Sequence, residues 1–174
     1  MDLDDMKRIA QTMVENGVHP GLVTDDFEYT IEAHPSSHPA AGRPHSASEI
    51  LSGLERTKEV FRYPDEYGPG DGLKTIIRSM TAEGDRVVVE TETHAVPRAN
   101  PVGRYTNYIV AIYVFRDGKV ARARIYEDTA FWQAFERGDP EANRPQADTR
   151  LHGRAPWSHS SRPFLRPRFL GSNL

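Results

Sequence analysis

Apolar and polar residues alternate along most of the stretch from residue 73 to residue 128, with the two-residue period that is typical of β-strands. The alternating segments are rich in Val, Ile, Tyr and Thr, which favour strands. Two turn signals, Glu83-Gly84-Asp85 and Asp117-Gly118, separate segments, and the second is typical of a two-residue hairpin. The pattern predicts four consecutive antiparallel strands that form a strongly bent sheet, over residues 73–82, 87–95, 104–116 and 119–128.

The last turn sets a register for its hairpin, and the register assigns each side chain to a face of the sheet. A regular pairing across the turn places Val110 opposite Ile125 and Tyr108 opposite Glu127. This face is apolar along most of its length and polar at one end, so we predict that it lines the interior. The other face is expected to be exposed or to form a homodimer interface, and it holds Asn107, Ile109, Tyr113, Phe115, Val120, Arg122, Arg124, Tyr126 and Asp128.

Helical periodicity marks two segments that precede the sheet. Apolar residues recur at helical spacing near residues 2–16 and again over residues 46–61. Ser46 and Glu49 are placed to form a capping box at the start of the second helix. The remaining expected elements are a short strand over 27–33, a proline-rich loop over 34–44 and a final helix over 129–137 that Asp128 would cap.

The composition indicates one compact domain followed by a tail. Among the 174 residues, the periodic segments fall within 1–138, whereas 139–174 are rich in Pro, Arg, Ser and His. The sparse apolar residues of the tail predict an arm that docks along the domain or across a partner subunit, and a disordered terminus is the alternative. These residues are Leu151, Trp157, Phe164, Leu165, Phe169 and Leu170.

Charge and cysteine content narrow the possible partners and chemistry. A formal net charge of −3 gives no electrostatic reason to expect a nucleic-acid partner. No apolar run approaches the ~20 residues that span a membrane, and the N-terminus lacks the apolar stretch of a signal peptide. We therefore expect a cytoplasmic protein without a membrane partner. The absence of cysteine excludes disulfides, thiolate catalysis and Cys-ligated zinc.

Several motifs together resemble one known superfamily. They are GDRVVVE followed by TH, then GRYTNY, the FRDGKV turn, and RIYEDT leading into AFWQAF. This combination covers roughly residues 1–138 and resembles the SnoaL-like group of the nuclear-transport-factor-2 and ketosteroid-isomerase superfamily. Its pattern is closest to PhzA/PhzB-type phenazine-biosynthesis proteins. The resemblance implies an α+β fold in which a cone-shaped, curved antiparallel sheet wraps around N-terminal helices.

The resemblance indicates a small-molecule pocket but not a single reaction, because the superfamily includes isomerases, dehydratases, cyclases, epoxide hydrolases and binding domains. The chain has no phosphate-binding loop, dinucleotide fingerprint, GxSxG or HExxH motif. In an apolar cavity, a carboxylate or an imidazole can act as a base and a neighbouring group as an acid, without a metal or a cofactor.

We therefore expect a cofactor-free acid–base enzyme of small-molecule, secondary metabolism. It would be an isomerase, dehydratase or cyclase that acts on an apolar or cyclic substrate in the cone cavity. A non-catalytic ligand-binding or dimerisation domain of the same fold is the alternative.

Three residues are the catalytic candidates. His34 follows the first short strand, in the region where ketosteroid-isomerase-like proteins carry their general base, and histidine suits proton transfer near neutral pH. Glu127 would return the proton. The glutamate of the PhzA/PhzB-type pattern falls at Ile125 in this chain, so that acid is absent from its usual place. Tyr108 would donate a hydrogen bond to the developing oxyanion.

Five further residues are the substrate-binding candidates, namely Tyr29, His38, Glu55, Arg104 and Thr106. Arg104 at the predicted mouth could hold a carboxylate through two hydrogen bonds. Glu55 aligns with the helix histidine of the resembled proteins. The alternatives are a solvated loop for His34 and His38, and a solvated helix face for Glu55. Because the two histidines lack a third ligand nearby, no metal site is predicted.

Overall fold

The computed structural model describes residues 1–136, so the predicted tail over 139–174 lies outside the described residues. Short 3₁₀ helices occur at Pro20–Leu22 and Asp65–Tyr67. The α-helices are α1 (Leu3–Asn16), α2 (Ala47–Val60) and α3 (Thr129–Glu136). The strands are β1 (Val23–Ile31), β2 (Pro44–His45), β3 (Phe61–Arg62), β4 (Lys74–Glu83), β5 (Arg86–Pro97), β6 (Tyr105–Arg116) and β7 (Lys119–Tyr126).

The strands form one sheet in the order β2-β1-β7-β6-β5-β3, with β4 also paired to β5. β4 to β7 are consecutive antiparallel strands, as the alternation predicted. β1 pairs with β7 in parallel, which is the one parallel pairing among the described strands. The α+β prediction, with a curved sheet and helices at the N-terminus, is confirmed.

Helix α1 packs its apolar face against the sheet. Its buried residues Met6, Ala10 and Met13 recur at helical spacing. They join one core cluster with buried residues of the sheet such as Val87 and Val89 on β5. Burial of each large apolar side chain stabilises the fold by roughly 1.5–3 kcal/mol. The N-cap is Asp2, whose carboxylate accepts a hydrogen bond of 2.7 Å from the Asp5 amide.

Helix α2 begins at the predicted capping box. The Ser46 hydroxyl accepts a hydrogen bond from the Glu49 amide at 3.3 Å, and the Glu49 carboxylate accepts one from the Ser46 amide at 2.9 Å. The hydrogen bond from the Ser46 amide, assisted by Arg43, lowers the pKa of Glu49 to about 2. No residue of α2 is fully buried, and Ala47 and Ile50 contact the edge of the main core.

The turn between β6 and β7 agrees with the sequence prediction. Arg116 pairs with Lys119. The two turn residues, Asp117 and Gly118, have φ angles of 51° and 81°. Positive φ at both central positions is the geometry of a type I′ hairpin turn, which matches the twist of the flanking strands.

A β-bulge next to this turn overturns the predicted register. Phe115 pairs with Val120, but Val114 pairs with Arg122, so Ala121 is an extra residue in β7. Because side chains alternate between faces, one extra residue changes which residues of β6 share a face with those of β7.

The interior face of β6 is therefore not the predicted one. The prediction for β7 holds for Ala123 and Ile125, which are buried. It is wrong for Val120, which was assigned to the outer face but is fully buried on the other side of the bulge. The prediction that Val110 and Tyr108 line the interior is wrong, and Tyr108 is 70% exposed on the outer face. The inward residues of β6 are the odd-numbered set, Tyr105, Asn107, Ile109, Ala111, Tyr113 and Phe115.

Candidate functional site

Two tyrosines face the interior from neighbouring parts of the sheet. Tyr29 on β1 pairs with Ala123 on β7, and Ala123 pairs with Tyr113 on β6, so the three residues form one row. Burial raises the pKa of both phenols well above the usual range, and the charge of Glu127 adds to the shift at Tyr29. Both hydroxyls therefore keep their protons at neutral pH and can act as hydrogen-bond donors.

Glu127 follows the last residue of β7 and is half-buried. Strand alternation places it on the same side as Ile125, which is buried in the main core. Its negative charge is felt at the Tyr29 hydroxyl. A carboxylate and a protonated phenol therefore lie on the same side of the sheet, and we call Tyr29 and Glu127 the interior pair.

A buried amide contacts the backbone of Asp128, the residue that follows Glu127. Asn107 on β6 is 4% exposed and donates a hydrogen bond of 2.8 Å to the Tyr105 hydroxyl. Its side chain also forms hydrogen bonds with both backbone polar groups of Asp128. The amide of Asp128 donates to Asn107 Oδ1 at 3.4 Å, and Asn107 Nδ2 donates to the carbonyl of Asp128 at 3.5 Å.

Helix α3 packs over the same end of the sheet. Asp128 caps it, as predicted, by accepting a hydrogen bond of 2.9 Å from the Phe131 amide. Tyr105 stacks against Phe131 at 5.6 Å and meets the edge of Trp132 at 5.2 Å. Phe135 stacks on Phe61 at 5.7 Å. These rings form a second apolar cluster, separate from the main core.

The loop after β1 packs against α3 from the other side. The hydroxyls of Ser37 and Thr129 lie 2.7 Å apart. The half-buried His38 meets Trp132 edge-on, with ring centroids 6.4 Å apart. His34 is exposed; its Nδ1 accepts a hydrogen bond of 3.2 Å from the Ser36 amide and lies 2.7 Å from the Ser36 hydroxyl. The loop thus lies at the end of the sheet that holds Glu127, but it turns His34 towards solvent.

The bulge removes two of the predicted residues from the site. Tyr108 and Thr106 lie on the outer face of β6, because the inward positions are the odd-numbered ones. Tyr108 therefore cannot donate a hydrogen bond to a substrate inside the cone. Thr106 instead hydrogen-bonds His94 on the same outer face, with 3.1 Å between Oγ1 and Nδ1.

Two other predicted binding residues are engaged elsewhere. Glu55 is exposed on α2 and forms an ion pair of 2.7 Å with Lys58, which fits the solvated helix face considered above. Arg104 donates to the carbonyls of Pro101 and Gly103, both at 3.0 Å. Its guanidinium is thus partly used to hold its own loop.

The outer face carries a chain of polar contacts that we call the outer network, formed by Arg78, Glu92, His94 and Thr106. Arg78 Nε donates to the Glu92 carboxylate at 2.8 Å. The other oxygen of Glu92 lies 3.2 Å from His94 Nε2. The ring of Tyr67 covers His94 at 5.1 Å. Burial is the main cause that lowers the pKa of His94, so the imidazole is neutral at pH 7.

Surface features elsewhere in the described part of the chain do not add to the site. A cleft of about 410 Å³ is lined by the loop over residues 62–71 and by Arg98. Its arginines are already paired, Arg62 with Asp65 and Arg98 with Asp71. Within residues 1–136, no cluster of three or more His, Asp or Glu side chains could hold a metal ion. Over the same residues, no helix is long and apolar enough to span a membrane.

Asn107 and Tyr113 lie in the interior, although the predicted register placed both on the outer face. The signal for their true placement was the alternation of β5, where Val87, Val89 and Thr91 are buried. In the structure, Val87 pairs with Tyr113. The sequence does not set the pairing of β5 with β6, because a loop joins the two strands. The alternation of β5 alone therefore could not assign the faces of β6.

Comparison with known proteins identifies the family. The model of the SnoaL-like domain matches residues 9–123. The chain belongs to the SnoaL-like family. This confirms the predicted superfamily, while the closer likeness to PhzA/PhzB-type proteins stays a prediction. A search of curated proteins finds no match.

Solved structures of SnoaL-like and related proteins share the fold of this chain. An NTF2-like protein from Burkholderia thailandensis is 18% identical with a TM-score of 0.58, over 78% of this chain and 98% of that one. An LEH-like epoxide hydrolase from M. tuberculosis is 16% identical with a TM-score of 0.54, over 78% and 92%. A protein described as a SnoaL-like polyketide cyclase, from Jannaschia sp., is 14% identical with a TM-score of 0.53, over 75% and 90%. At these identities the likeness concerns the fold.

Proposed function

We propose that this protein is a cofactor-free acid–base enzyme that acts on a small apolar or cyclic carbonyl compound inside the cone. The interior pair would carry the chemistry. The observation that supports this most is that Tyr29 and the half-buried Glu127 lie on the interior side of the sheet, where burial and the charge of Glu127 raise the pKa of the phenol. A buried donor beside a carboxylate is the combination that proton transfer next to a carbonyl group needs.

In the proposed reaction, the Glu127 carboxylate removes a proton from the carbon next to the carbonyl group. The Tyr29 hydroxyl donates a hydrogen bond to the carbonyl oxygen as negative charge develops there. Return of the proton to a different carbon gives an isomer. Transfer of the proton to a departing hydroxyl group gives water and an unsaturated product, as in a dehydratase.

The roles of the predicted residues change accordingly. Tyr29, first expected to bind substrate, takes the donor role that was expected of Tyr108. Glu127 takes the role of base, because His34 is exposed and its Nδ1 is engaged by Ser36. His38, which contacts Trp132 at the same end, remains a candidate for substrate binding.

Exchange of carbon-bound protons for deuterium tests this proposal without knowledge of the natural substrate. A panel of cyclic ketones, including β,γ-unsaturated and β-hydroxy members, is incubated with the protein in D₂O and followed by NMR. We expect enzyme-dependent exchange, isomerisation or loss of water for at least one member. Glu127→Gln should lower that rate by roughly 10²–10⁴-fold, the usual contribution of a general base.

Glu90→Gln is the matched control, because Glu90 is an exposed carboxylate on the outer face whose partner is the Ser79 hydroxyl. It should change the rate less than twofold. Equal rates for the wild type and Glu127→Gln would contradict the proposal. Tight binding of a panel member with no reaction would favour the alternative, a non-catalytic ligand-binding domain of this fold.

A homodimer through the outer face of the sheet is a second proposal. Tyr113 and Ile109, which were expected to form dimer contacts, both point inward. The outer face instead presents the exposed Tyr108 and Tyr126 beside Ile112, and exposed apolar patches mark interaction sites. Light scattering should give twice the 19.6 kDa of one chain, and Ile112→Glu should reduce it to one chain. A wild-type mass of one chain at micromolar concentration would contradict this.

A further inference from the structure

Asn107 is a buried polar residue that the proposed reaction does not use directly. It is 4% exposed, and burial of an amide is costly unless it is hydrogen-bonded. Three contacts satisfy it: the Tyr105 hydroxyl at 2.8 Å and the amide and carbonyl of Asp128 at 3.4 and 3.5 Å. Two of the three lie on the residue that follows Glu127.

The place of these contacts along the chain gives them a consequence. Glu127 and Asp128 are the only residues between the end of β7 at Tyr126 and the start of α3 at Thr129. A side chain that holds both backbone groups of Asp128 fixes the direction in which the chain leaves the sheet. It therefore fixes the backbone of Glu127 and the first turn of α3 together.

We propose that Asn107 is a positioning residue that holds the Glu127 carboxylate near Tyr29. It also makes the position of this carboxylate depend on the packing of α3 against the sheet. Tyr105 links the two ends of this arrangement, because its hydroxyl accepts from Asn107 while its ring stacks on Phe131 of α3 at 5.6 Å. The effect on turnover rests on the proposed function. The placement of the Glu127 carboxyl does not, and it can be measured separately.

The test compares two substitutions that each replace a buried polar side chain by an apolar one of similar size. Asn107→Leu removes the contacts to Asp128 and Tyr105. Thr93→Val is the control, because Thr93 is 1% exposed, pairs with Asn107 across the sheet and bonds the Thr75 hydroxyl at 3.1 Å, not Asp128. A merely structural role predicts similar behaviour for both variants.

The first readout is the ¹³C carboxyl resonance of Glu127 in glutamate-labelled protein, identified by its loss in Glu127→Gln. The second is hydrogen exchange of the α3 amides. We expect Asn107→Leu to move the resonance and to speed exchange in α3 by roughly tenfold, since local opening sets that rate. Thr93→Val should change neither. If Asn107→Leu does not fold, Asn107→Ser carries the same comparison.

An unchanged Glu127 resonance in the Asn107 variant, or equal shifts in both variants, would overturn the inference. For any compound that the wild type converts, Asn107→Leu should lower kcat by roughly tenfold or more with little change in KM, because misplacement of a reacting group costs rate more than binding. Loss of turnover in Glu127→Gln with full turnover in Asn107→Leu would overturn the positioning role alone. Full turnover in Glu127→Gln would instead refute the proposed function, and the resonance would still decide the role of Asn107.

Discussion

The interior pair and the outer network both place a carboxylate next to a ring that carries a proton, yet their surroundings differ. On the outer face, Glu92 is held by Arg78 and lies 3.2 Å from His94 Nε2. In the interior, Glu127 raises the pKa of Tyr29, which burial has already raised. The charge of the outer carboxylate, Glu92, is therefore balanced by the neighbouring Arg78. The interior carboxylate, Glu127, instead favours the protonated form of the Tyr29 hydroxyl.

Whether a cluster of titratable groups can transfer protons therefore depends on its solvent exposure and on the charges next to it. Ion pairs on a strand surface contribute modest stability and orient side chains. A desolvated donor beside a base supplies the elements of proton transfer, because electrostatic effects are stronger where water is excluded. The interior pair is thus the better candidate for chemistry, although the outer network resembles a catalytic triad in its order of groups.

The assignment of faces, on which this comparison depends, can be broken by deletions in β7. Removal of Ala121 converts the bulge to regular strand pairing and leaves Arg122 opposite Val114, so we expect a folded protein. Removal of Ala123, which lies in the regular part of the strand, moves the following residues to the opposite face and should abolish folding. Circular dichroism and thermal melts check both variants. Unfolding of the Ala121 variant alone would favour the bulge-free register.

The cluster under α3 should be worth more stability than any outer-face contact. Phe135 is 3% exposed and packs on Phe61 and Tyr105. Phe135→Ala should lower the free energy of unfolding by about 3 kcal/mol, as for other buried phenylalanines. Tyr126→Ala on the outer face should cost less than about 1 kcal/mol in the monomer. Urea titration measures both, and equal losses would show that α3 is not seated as described.

The outer network should be visible in the pH dependence of stability. Burial is the largest cause that holds the pKa of His94 below 6.5; Glu92 and Glu66 oppose the shift and Arg78 reinforces it. The unfolded chain therefore binds this proton more readily, so stability falls as the pH drops below about 6.5. His94→Gln should flatten that part of the curve. An unchanged slope between pH 7 and pH 5 would remove His94 as its cause.

The sequence predicted the elements well, because their signals are local. The alternation of β4 to β7, the Ser46 capping box and the Asp117-Gly118 turn each depend on a few neighbouring residues. The bulge at Ala121 has no such signal, since alanine fits either face of a strand. One unpredicted residue was enough to exchange Tyr108 for Tyr113 in the interior. Glu127 kept its predicted face because it follows β7 beyond the bulge and stays in alternation with the buried Ile125.

The assignment of the interior donor is tested most directly by two tyrosine substitutions in the deuterium-exchange assay. Tyr29→Phe removes the interior donor, and Tyr108→Phe removes an equivalent hydroxyl from the outer face, where the residue is 70% exposed. We expect Tyr29→Phe to lower kcat by roughly 10²–10³-fold, as loss of one oxyanion donor does, and Tyr108→Phe to change it less than twofold. The opposite order, or equal effects of the two substitutions, would contradict this assignment.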